Sequence, residues 1–155
     1  MNSRFATIIE SLEPSLQRLL DISPEKPAHL PTVVPKAGIY LFSERERHLY
    51  VGRTNDIRKR LHQHSRPSAT DRQAAFAFRL ARGANRHMQA PDKEKGPRAV
   101  LMADPKFCSA FTAAKARVRQ MDVRWVEEAD PIRQALLEIY VAFALDARNN
   151  DFDNH

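Results

Sequence analysis

Apolar side chains near the start of the chain fall at Phe5, Ile8, Ile9, Leu12, Leu16, Leu19 and Leu20. This is the spacing of one helical face, with Pro14 as a kink or break within it. The stretch SPEKPAHLPTVVPK then places four prolines in 14 residues, which reads as an extended linker. Residues 1–30 are therefore expected to form an N-terminal helical extension with its linker, and residues 31–155 the main domain.

From Gly38 the pattern changes to that of strands. Gly38-Ile39-Tyr40-Leu41-Phe42 is a β-type run, SERER a charged turn, and His48-Leu49-Tyr50-Val51 a second run closing at Gly52. Together they predict a hairpin. Alternation puts Ile39 and Leu41 on one face and Tyr40 and Phe42 on the other, while Tyr50 opposes Leu49 and Val51. A helix follows, with Thr54 or Asn55 as cap and Asp56 at its positive end. Ile57 and Leu61 form its apolar pair, Arg60 and His64 a second pair on another face, and Pro67 ends it. Ala69–Arg82 and Lys106–Gln120 read as helices with a loop, GANRHMQAPDKEKGP, between them. Asp122–Val126 alternates as a third strand. Asp130-Pro131 is a helix start, and the helix runs to about Leu145 before the acidic tail NNDFDNH.

Composition narrows the class. Hydrophobic residues at 43% and charged residues at 28% exclude a wholly disordered chain. A lone cysteine, Cys108, excludes a disulfide framework. No run approaches the ~18 apolar residues of a bilayer span, and the N-terminus lacks a signal-peptide core, so the cytoplasm is the expected location. The net charge is +6, unevenly placed. Lys36 to His87 holds 12 basic and 4 acidic residues, whereas Asp122 to the end holds 3 and 8. A basic stripe of this kind marks a polyanion-binding face or a solvated surface.

Two features could carry chemistry. Glu138 is the single charge in QALLEIYVAFAL, with Ala135 and Ala142 beside it on the helix. A carboxylate among small apolar residues calls for a partner, which a divalent cation or an arginine supplies, or else for an exposed stripe. Tyr40, Tyr50, Arg53, Arg60 and His64 fall within 25 residues of one another. Phosphodiester cleavage needs an arginine on the crowded phosphate, a metal to stabilise charge, and a group to orient or deprotonate water. The same residues also suit hairpin packing and solvated helix surface.

Gly38-Ile39-Tyr40, then Tyr50-Val51-Gly52 ten residues on, then RTNDIRKRLHQH, resembles the GIY-YIG nuclease family. The resemblance implies an α+β fold, a small three-stranded antiparallel sheet flanked by helices, here with the N-terminal helical extension. It implies a metal-dependent endonuclease that hydrolyses phosphodiester bonds in DNA, with RNA left open, using one Mg²⁺ or Mn²⁺ held by Glu138. By the same resemblance Arg60 stabilises the scissile phosphate, Tyr40 and Tyr50 position or deprotonate the water, and His64 matches a histidine of some members. Arg53 would contact phosphate or tune a tyrosine. Arg72, Arg79, Arg82, Arg86, Lys93 and Lys95 would guide the backbone. Gly38 and Gly52 would serve backbone geometry, and Asn149 or Asn150, preferably Asn150, would close the core. No zinc-finger or helix-turn-helix pattern accompanies these motifs, which favours a structure-preferring or weakly sequence-specific nuclease in DNA repair or recombination. The alternatives are a non-cleaving nucleic-acid-binding module, or an interaction adaptor whose N-terminal helix docks a partner or a second copy in a homodimer.

Overall fold

The computed structural model describes residues 1–85 and 97–152, and these form two compact units, one of residues 1–61 with 121–155 and one of residues 62–120.

The first unit is built on a three-stranded antiparallel sheet of β1 (Gly38–Glu44), β2 (Arg47–Thr54) and β3 (Asp122–Glu127). The spatial order is β2-β1-β3. Tyr40 pairs with Gly52 on one side and Trp125 on the other. The turn is tighter than the SERER run suggested. Both strands extend to leave only Arg45 and Glu46 between them, each with positive φ, as a two-residue hairpin turn requires.

One face of the sheet packs Ile39, Leu41, Val51 and Val126 against helices at both ends of the chain. These helices are α2 (Glu13–Asp21), with Leu16 and Leu19, and α7 (Pro131–Ala144), with Leu137 and Val141. Leu12, just ahead of α2, joins the same core. The predicted N-terminal helix is therefore two helices, α1 (Ser3–Glu10) and α2, with Pro14 in the first turn of the second, where its missing N–H costs nothing. Both sheet edges are closed. Glu25 exchanges two backbone hydrogen bonds with Val123, and the Asn150 side chain grips β2.

α3 (Ile57–Ser65) follows β2 and crosses from the first unit into the second. Its cap is Asp56, whose carboxylate accepts from Lys59 N–H, while Thr54 turns its hydroxyl to Asp56 N–H. The second unit is helical, with α4 (Ala75–Ala84), α5 (Pro97–Met102) and α6 (Pro105–Arg119). Phe78 stacks with Phe107 and Phe111 between α4 and α6. Lys115 is buried there, donating to the carbonyls of Pro67 and Ala69 at 2.6 and 2.9 Å. No helix among the described residues is long and apolar enough to cross a membrane.

Candidate active site

The site residues of the first unit gather at the edge strand β2. Register and alternation assign them to two faces. Tyr40, Phe42, Tyr50 and Trp125 lie on one, and Arg53 shares the other with Ile39 and Val51, toward α7. Arg53 meets Glu138 there, Nε to carboxylate at 3.0 Å. The arginine partner foreseen for this carboxylate is thus Arg53. The Glu138 side chain keeps about a fifth of its surface (21%) open and that of Arg53 nearly half (48%).

On the opposite face the Tyr40 ring lies across Gly52. A Cβ at Gly52 would stand 2.2 Å from the Tyr40 hydroxyl, so the missing side chain is the space the tyrosine occupies. Gly38 is needed for a different reason, since a Cβ there would meet the Val126 carbonyl at 2.0 Å. Both glycines thus permit close approach. The Tyr40 hydroxyl receives a long hydrogen bond, 3.4 Å, from Arg60 Nε of α3. Tyr50 stands beside it, ring centroids 6.3 Å apart and tilted by 46°.

Tyr40 is 1% exposed. Burial pushes its pKa far above the ordinary tyrosine value, the Tyr50 and Glu138 charges push it the same way, and Arg60 opposes them only in part. The hydroxyl is therefore protonated at any working pH, which suits a donor that orients an oxygen and not a tyrosinate base.

Two further side chains fix the frame. Asn150 accepts from Val51 N–H and donates to Val51 C=O, both at 2.8 Å, so its amide mimics one more strand residue. The neighbouring Asn149 donates its backbone N–H to Leu49 C=O at 3.1 Å. Gln134, which the sequence reading did not single out, is buried on α7 and donates to Asn55 at 3.1 Å and to the Glu128 carbonyl at 2.6 Å. It ties the helix of Glu138 to the turn that starts the helix of Arg60. Its signal was a polar residue on an apolar helix face.

A family model, the GIY-YIG catalytic domain, matches residues 36–143. The chain belongs to the GIY-YIG nuclease family. Comparison with curated proteins and with solved structures gave no match. The remaining predicted residues of this GIY-YIG chain belong to the second unit or fall outside the described residues. His64, on α3 in the second unit, is fully buried. Arg72 and Arg82 are exposed in the second unit and Arg79 is half-buried. Arg86, Lys93 and Lys95 lie outside the described residues.

Proposed function

We propose that the chain is a divalent-metal-dependent endonuclease that hydrolyses phosphodiester bonds in DNA, without a strong sequence preference. The observation that carries this reading is the gathering of the family's motif residues around β2, with Arg60 of α3 hydrogen-bonded to the Tyr40 hydroxyl and Glu138 of α7 held by Arg53.

Arg60 binds a non-bridging oxygen of the scissile phosphate and stabilises the charge that builds up there. Tyr40, held protonated, and Tyr50 beside it fix the line along which water attacks phosphorus. The 3′ oxygen leaves and takes up a proton, so the ends are a 3′-hydroxyl and a 5′-phosphate. Arg53 orients the Glu138 carboxylate in the free protein and turns to the phosphate when substrate arrives. Glu138 would hold the metal. The donor set fits Mg²⁺ or Mn²⁺, which take one or two carboxylates and complete their shell with water and substrate phosphate. No cluster of three or more acidic, histidine or cysteine side chains occurs among the described residues to form a full protein cage. When bound, the ion supplies charge stabilisation to the phosphate and to the departing oxygen. His64, buried one helical turn beyond Arg60 on α3, stays a candidate beside it and is given no step here. Residues 31–155 hold this apparatus, and the exposed arginines of the second unit supply affinity through phosphate contacts that carry no sequence information.

A plasmid-nicking assay tests the reading. Wild type should nick with Mg²⁺ or Mn²⁺ and stop on chelation. Arg60→Ala and Glu138→Ala should each lose at least about 100-fold in rate with an unchanged circular dichroism spectrum. Wild-type rates from either variant would overturn the assignment. The Arg53–Glu138 ion pair also suits a second reading, in which the pair is structural and the chain binds nucleic acid without cutting it. Binding that survives chelation, with no nicking under any metal, would favour that reading.

A further inference from the structure

The solvent face of α7 is apolar along its length. Ile132, Ile139 and Phe143 are 60%, 50% and 87% exposed, with the half-buried Leu136 between them. The steps from 132 to 136, 139 and 143 are four, three and four residues, the spacing of a seam that receives another helix. A helix that is apolar all round is ordinarily covered. Nucleic acid is a poor cover, because Ile132, Ile139 and Phe143 are apolar and Asp146 and Asp151 sit at the Phe143 end. Arg148 at that end is already bonded to Asp146. Among residues outside the described set, 86–96 and 153–155, the only large apolar side chain is Met88.

A matching face exists on α1. This helix buries none of its residues, and it carries Phe5 and Ile9 four apart, both exposed. Eight residues are too few to hold a helix in water without packing. The charges also match. Arg4 stands in the first turn of α1 and acidic residues follow α7, so antiparallel packing pairs opposite charges there and opposite helix dipoles. Phe143 and Ile139 open onto a groove of about 290 Å³, shared with Ala142, Arg148 and Phe152, that can take an aromatic ring.

We propose that α1 of one copy lies antiparallel along α7 of a second copy, with Phe5 against Phe143 and Ile9 against Ile139. The contact is reciprocal, so the assembly is a closed two-fold dimer. Because Ile139 adjoins Glu138, the interface borders the site in each copy.

Sedimentation and light scattering of the full chain test this, and their readout is mass, independent of whether the chain cleaves. Wild type should run at twice 17.7 kDa. Phe143→Glu and Phe5→Lys should each raise the dissociation constant at least about 30-fold, with an unchanged dichroism spectrum. An equimolar mixture of the two variants should recover the dimer, because one of its two contacts then joins lysine to glutamate and the other is wild type. A monomeric wild type up to about 100 μM would overturn the proposal. So would a mixture that stays monomeric, or a Phe5→Lys variant that still dimerises.

Discussion

Gly52 and Tyr40 are a single device made of two residues. Their pairing across β1 and β2 places the ring over the one position on the edge strand that has no side chain. Gly52→Ala should therefore act through Tyr40. In wild type we expect a cost of about 1–3 kcal/mol from overpacking together with loss of cleavage. In a Tyr40→Val background the same substitution should be nearly neutral in stability. Chemical denaturation of the four proteins measures this coupling, and additive costs would contradict the geometry. The buried hydroxyl leads to a pH prediction. The folded pKa of Tyr40 is raised above its unfolded value, so the protonated form is favoured by folding. Its contribution to stability is complete below the ordinary tyrosine range and is lost only as pH climbs beyond it. The cleavage rate between about pH 6 and 9 should accordingly show no step assignable to Tyr40, and its phenol should show no ultraviolet titration there. A tyrosinate signal in that window would reopen the base role.

The strands were legible because alternation, Gly38 and the charged turn all point one way, and that is also what set Tyr40 and Phe42 opposite Ile39 and Leu41. The partner of Arg53 was not legible, since Glu138 lies 85 residues away and only packing of α7 brings it near. Helix limits slipped where side chains compete with the backbone. The predicted start at Ala69 moved to Ala75 because Thr70 and Gln73 bond each other's backbone N–H groups and hold a turn there. The short α5 escaped notice, six residues being too few to show a period. At this scale the closing of β2 makes the sharpest prediction. Asn150→Ala leaves Val51 N–H and C=O without their partner and should cost about 1–3 kcal/mol. Asn150→Asp keeps the acceptor but faces the Val51 carbonyl with a second acceptor, so it should cost at least as much. Thermal melts of both variants check this, and a wild-type melting temperature for Asn150→Ala would contradict the role of its amide in closing β2.

The first unit draws its core from both ends of the chain, and this bears on what the N-terminal residues do. By composition and linker, residues 1–30 read as an appendage. In the fold their two helices have separate tasks. Leu12, Leu16 and Leu19 sit in the core with Ile39, Leu41 and Leu137. Arg133 on α7 donates to the Ser11 hydroxyl and Tyr140 to Glu13, so the junction between α1 and α2 is fastened to the helix of Glu138. α1 itself gives nothing to this core. Removing residues 1–10 should leave the melting of the monomer almost unchanged. Removing residues 1–22 strips three buried leucines, each worth about 2–5 kcal/mol, against a total stability of about 5–15 kcal/mol for a domain. That chain should be unfolded or molten, and inactive although every residue of the candidate site is present. Dichroism and melting of the two truncations decide the matter. Equal stability of both would mean that α2 is dispensable and that the sheet, α3 and α7 hold the catalytic edge without it.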